Sequence, residues 1–202
     1  TAPLASQSEK TQGTIKMRWL ILLLFMSQTL YAGDISTVEP AGLRHKIKDP
    51  EKLAEWTAPP DIVVCSTAPV SFRQIKRAVK FWEKLGYSFG NITVALHDNY
   101  QCAIGEAGAN QIMIDIPSQS FFADDRWDTP TKVGLTKLFV DTNTNTIFKA
   151  KIEIMSNWGG AQRILEHELG HALGWKDWDQ IGHIMHSNWS QGGYNTRGLE
   201  NK

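Results

Sequence analysis

The chain of 202 residues has no excess of either charge: 21 lysines and arginines stand against 21 aspartates and glutamates. That balance excludes the basic footprint of a nucleic-acid-binding protein, and no polybasic or polyacidic run alters it. No apolar stretch approaches the roughly 20 residues that a membrane-spanning helix needs. Nor does any segment repeat at solenoid period. Cysteine is scarce, with two residues, while apolar side chains make up 42% and charged ones 21%. A sizeable core is therefore available, and the composition excludes global disorder. One globular domain of ordinary size, with or without short appendages, is the expectation.

The front of the chain reads as an export signal. Lys16 and Arg18 flank Met17, residues 19–26 are continuously apolar, and the segment ends in mildly polar residues before Ala32. Basic, apolar and small-residue regions in that order describe a secretory signal peptide with cleavage after Ala32, so we expect a secreted or periplasmic protein. Residues 1–32 are then upstream sequence plus signal. Residues 33–60 are polar and end in the stiff Ala58-Pro59-Pro60, a short pro-segment or an N-terminal arm. The folded domain would be 61–202. In an oxidising compartment Cys65 and Cys102 pair by default, which stabilises by roughly 3–4 kcal/mol in the chain-entropy model. The alternative is one thiolate capping a metal as a latency plug.

A mixed α and β order follows. Residues 61–65 read as a buried strand. Ser71 with Gln74 forms a capping box, Phe72, Ile75, Val79 and Trp82 make an apolar stripe, and Gly86 closes that helix. Residues 91–96 and 111–116 are further strands. Asp124, Asp125 and Asp128 could hold Ca²⁺, although a solvated acidic loop is the better reading. A hairpin is legible from Gly134: a strand over 135–140, turn chemistry over 141–145, and a return strand with Phe148, Ala150, Ile152 and Ile154 on one face and Lys149, Lys151 and Glu153 on the other. A helix over about 161–173 ends at Gly174.

That helix carries His167-Glu168-Leu169-Gly170-His171. Four residues along an α-helix return to nearly the same face, so both imidazoles can reach one ion, and zinc takes such nitrogens at about 2.0–2.1 Å. Glu168 cannot easily ligate the same ion, but it can reach a water there. Gly174 allows the chain to leave the helix through a left-handed turn. Asp177 follows three residues later, and Met185 lies further on within Gly182-His183-Ile184-Met185-His186.

In these residues the chain resembles the metzincin clan of zinc endopeptidases, whose pattern is HExxHxxGxxH or HExxHxxGxxD followed by a methionine turn. Residues 134–185 are similar to the bacterial matrixin branch, with the aspartate variant of snapalysin-type members. The resemblance implies an α+β zincin-like domain: a mixed twisted sheet, an active-site helix and a C-terminal methionine turn. It implies one catalytic Zn²⁺ on His167, His171 and Asp177, with Glu168 as general base, Gly174 as the turn and Met185 below the metal. The substrate would be a polypeptide laid antiparallel to an edge strand, here Leu135, Thr136, Lys137 and Leu138. We expect a monomer. Most matrixins carry histidine at the third ligand and a proline soon after the methionine; Asp177, and Ser187-Asn188, stand here. His183 and His186 are alternative third ligands, with the spacing favouring Asp177.

Two functions are open at this point. One is metal-assisted peptide hydrolysis, in which Glu168 takes a proton from the attacking water and passes it to the leaving amine. The other is an exported binding or structural protein that zinc stabilises without turnover. Glu168 discriminates between them, because a closed structural site needs no base. Trp175, Trp178 and Trp189 read as packing beneath the methionine turn rather than a specificity wall, and His97 reads as a loop histidine. Tyr194 is a weak candidate oxyanion donor.

Overall fold

The computed structural model describes residues 48–96, 99–117 and 133–201. The expected signal segment, His97, and Asp124, Asp125 and Asp128 lie outside them. Residues 46–202 form one compact unit, with six strands and three helices among the described residues: β1 (Glu55–Trp56), β2 (Asp61–Cys65), α1 (Phe72–Glu83), β3 (Ile92–Ala95), α2 (Tyr100–Ile104), β4 (Gln111–Asp115), β5 (Gly134–Asp141), β6 (Thr146–Ile154) and α3 (Ile164–Ala172). The protein is thus mixed α and β, with a mostly parallel sheet and few helices. None of the described helices is long and apolar enough to cross a membrane.

Strands β3, β2, β4 and β6 run parallel in that order, and β1 adds two parallel residues at the start of β6. The hairpin β5–β6 supplies the antiparallel pair, and β5 has no second partner among the described strands. Parallel strands covered by helices read as unbroken apolar runs. Accordingly Ile62, Ile112, Ile114, Ala150, Ile152 and Ile154 are fully buried, and they form one core with Ile75, Ala78 and Trp82 of α1 and Leu169 of α3.

Helix α1 begins where its cap predicts. Gln74 N–H donates to Ser71 Oγ, the Gln74 side chain accepts from the Ser71 amide at 2.8 Å, and Gly86 at φ +91° ends the turn beyond the helix. Phe72 departs from the expected stripe: it is exposed, with Lys76 Nζ 4.6 Å from its ring centre. A similar departure occurs in β6. The register slips between Phe139 and Val140, whose partners are Lys149 and Ile147, so Phe148 is an extra residue and turns outward while Ile147 is buried. A bulge reverses the in–out parity of everything before it. The opposite face of β6 is not solvated either. Glu153 is fully buried and Lys151 nearly so, with Lys151 Nζ 2.7 Å from Glu153 Oε1, so each charge loses water but gains a partner.

Cys65 and Cys102 form a disulfide, with Cα atoms 5.6 Å apart, joining β2 to α2. That bond is compatible with an oxidising compartment, and it leaves no free cysteine to cap a metal. Residues 51–56, within the expected pro-segment or arm, belong to the compact unit: β1 joins the sheet, and Lys52 bridges to Trp175.

Candidate metal centre

Helix α3 is short, and its first turn is anchored rather than side-chain capped. Arg163 adopts φ +69° at the N-cap without a capping side chain. Glu166 is buried in the first turn, where a carboxylate favours the helix dipole, and its Oε1 accepts from Arg77 Nε at 2.9 Å. Trp82 Nε1 donates to the Glu166 carbonyl at 2.8 Å. Two bonds from α1 therefore hold the register of the following residues, which include both histidines.

His167, His171 and Asp177 converge. The two Nε2 atoms are 3.0 Å apart, and Asp177 Oδ1 lies 3.6 Å from His167 Nε2 and 3.3 Å from His171 Nε2. Tetrahedral ligands at zinc distances stand about 3.3–3.4 Å from one another, so this triangle lies within about 0.4 Å of what such an ion requires. Both rings are already oriented. His167 Nδ1 lies 2.8 Å from the Ile184 carbonyl and His171 Nδ1 2.8 Å from the Trp175 carbonyl. Each Nδ1 must carry hydrogen to donate there, which turns each Nε2 toward the cluster, the arrangement that metal-binding histidines adopt.

The charges agree with that geometry. Burial and the neighbouring His171 hold His167 below the usual imidazole range. Burial also opposes charge on His171, but the hydrogen bond to Asp177 and the Glu168 and Asp177 charges outweigh it and raise this imidazole to about 9. Asp177, despite its own partial burial, is held below the usual carboxylate range by His171. The cluster thus favours one shared positive charge and opposes a second.

Glu168 stands beside the cluster on the side of β5. Thr136 Oγ1 donates to Glu168 Oε2 at 2.6 Å and lies 3.1 Å from the Glu168 carbonyl. A Cβ on Gly134 would approach the Glu168 carboxyl carbon to 2.9 Å, so glycine there makes room for the acid. On the far side, the chain from Gly182 returns beneath α3. Met185 is fully buried, and its carbonyl accepts from the Trp178 amide at 2.7 Å, tying the segment after Asp177 to the turn at Met185. Gly174 has φ +99°, and a Cβ there would collide with the Ala54 carbonyl.

His183 and His186 have other engagements. His183 Nδ1 accepts from the Met185 amide at 3.1 Å, under the edge of the Trp178 ring. His186 Nδ1 accepts from the Asn188 amide at 3.0 Å, with Asp179 Oδ1 3.6 Å away. Trp175 and Trp189 spend their indole N–H groups on Tyr87 and on the Gln162 carbonyl, and Tyr194 lies against Phe81. Of the edge-strand residues, Thr136 meets Glu168, Leu138 packs on the core, and Lys137 Nζ stands 3.8 Å from Glu153.

Sequence reasoning missed three supports: the Thr136 hydroxyl on Glu168, the carbonyls of Ile184 and Trp175, and the close packing of Met185 and Trp82 against Gly170. Only the last left a signal, since a glycine inside a helix costs about 1 kcal/mol and implies close approach of another group. No family model matches the chain, and no curated protein matches it.

Proposed function

We propose that this protein is an exported zinc-dependent endopeptidase of the metzincin kind, in which His167, His171 and Asp177 hold one zinc ion and Glu168 is the general base. One observation carries the reading: three ligand atoms meet close to the edge lengths of a zinc tetrahedron, with a carboxylate on the next residue held beside them. A bound zinc ion supplies Lewis-acid polarisation of the scissile carbonyl and makes water more acidic. The chain's own residues do the remainder. Thr136 anchors one oxygen of Glu168, which leaves the other to take a proton from the attacking water and deliver it to the leaving amine. Strand β5 offers main-chain groups on its outer side for pairing with an extended polypeptide, and no serine, threonine or cysteine nucleophile is required.

The competing reading, a zinc-stabilised binding or structural protein, is disfavoured by the donor set. Structural zinc sites are closed by four protein ligands, whereas three ligands with an adjacent carboxylate suit an open position. Casein cleavage that chelation abolishes, and that Glu168→Ala abolishes while zinc is retained, is the expected result. Cleavage by Glu168→Ala equal to that of the unaltered protein ends the protease reading.

A further inference from the structure

The third ligand sits on a stretch with few tethers of its own. After α3 the chain turns at Gly174 and reaches Asp177 within three residues, and Asp177 is half exposed. The Met185 carbonyl holds it after Asp177, at the Trp178 amide, and residues 51–56 hold the main chain before Asp177. Leu53 N–H donates to the Gly174 carbonyl at 2.8 Å and Lys176 N–H to the Glu51 carbonyl at 2.9 Å, which makes an antiparallel bridge between Lys52 and Trp175. Lys176 Nζ pairs with Glu51 at 2.7 Å, and Lys52 Nζ lies 5.5 Å from the Trp175 ring centre. Trp56 Nε1 donates to the Ala172 carbonyl at 2.8 Å, satisfying one of the open acceptors at the end of α3. The bridged residue, Trp175, is also the one whose carbonyl orients His171. The Ala54 carbonyl, in turn, occupies the space that a side chain at position 174 would fill.

Resting on the metal reading above, we infer that residues 51–56 are a permanent strap of the metal site, positioning Asp177 and the Trp175 carbonyl, and that any trimming of the chain which leaves the site competent ends before Glu51. The segment is not a detachable pro-region from that point on. Its hydrogen bonds go to the main chain just before the third ligand, at Ala172, Gly174 and Lys176, so its loss loosens the approach to Asp177 while leaving strands β2 to β6 and helices α1 and α3 built.

The test is metal affinity rather than turnover. Leu53→Pro deletes the N–H that reaches Gly174 without touching a site side chain, and Leu53→Ala keeps that N–H. Cobalt(II) absorption and competition with a zinc indicator should show about 10–100-fold weaker binding in Leu53→Pro, the usual cost of losing a group that orients ligands. Leu53→Ala should stay within about 2-fold, as expected when the orienting group is kept. Circular dichroism checks that each variant is folded. Trp56→Phe, which loses only the donor to Ala172, gives a second measurement if the proline variant does not fold, and weaker binding is expected there too. Limited proteolysis of the zinc-loaded protein should give a metal-retaining product that begins before Glu51. Folded Leu53→Pro and Trp56→Phe variants that bind as tightly as the unaltered chain overturn the strap alone. An unaltered chain that takes up neither cobalt nor zinc overturns the metal reading and the strap together.

Discussion

Gly170 and Met185 are matched in shape: a Cβ on Gly170 would overlap the Met185 sulfur and come within 2.7 Å of Trp82 Cζ2. The residue of α3 just before His171 is bare because a fully buried thioether and an indole edge occupy the space where its side chain would project. Gly170→Ala should therefore destabilise by about 1–3 kcal/mol through overpacking, although alanine is the better helix former. Met185→Ala should cost about 2–5 kcal/mol through the cavity it leaves. Urea unfolding of both variants and of the pair checks this, because the double variant should be more stable than the sum of the single losses implies.

Thr136 and Glu168 make the second prediction. Thr136→Val keeps the shape and removes the hydroxyl that holds Glu168 Oε2. Turnover should fall by roughly 10-fold with KM nearly unchanged, as for loss of an orienting group that acts in the transition state. Thr136→Ser should recover most of it, with zinc content equal in all three proteins.

Acid sensitivity is the third. Burial pushes the His183 imidazole down to about 4 in the folded protein, against an ordinary value of 6.5. Between those values the unfolded chain binds a proton that the folded one refuses, so stability falls as pH drops through this window and levels off below it. At about 1.4 kcal/mol per unit the loss reaches at most about 3.5 kcal/mol. His183→Asn places an amide oxygen where Nδ1 accepts the Met185 amide and removes the titration. Urea midpoints measured from pH 7.5 to 4 should fall more steeply for the unaltered protein than for His183→Asn.

Asp177 sets the fourth. Two neutral imidazoles and one carboxylate leave a divalent cation with less residual positive charge than three imidazoles do, so water at the site is less acidified. The rising limb of the pH–rate profile should therefore lie at higher pH than in a folded Asp177→His variant, and Asp177→Ala should lose most of its zinc by elemental analysis. Superimposable profiles, or full zinc in Asp177→Ala, would remove Asp177 from the ligand set.

Local chemistry was what the sequence made legible. Helix α1 could be bounded from Ser71, Gln74 and Gly86, because a capping box and a left-handed glycine act within one turn. The spacing of His167, His171 and Asp177 was readable for the same reason, since covalent connection and one helical turn already bring the groups close. What escaped notice depends on distant chain. Strand β1 has two residues and no period to detect, and it exists because Asn145 and β6 offer partners. Helix α2, five residues capped by Asn99, is too short for a stripe. Phe148 was placed inward by alternation that holds only until the bulge. Thr136 was read as part of an edge that binds substrate, but its hydroxyl reaches inward to Glu168, a contact that no spacing between β5 and α3 could announce.

The bridge from Lys52 to Trp175 has one more consequence. It joins positions near opposite ends of the compact unit, so the surroundings of His171 and Asp177 are finished only after nearly all of the intervening chain has been made and folded. Such long-range closure is slow and comes late. Under the proposed function, a nascent chain that has not yet closed this bridge lacks a finished site and cannot hydrolyse peptides.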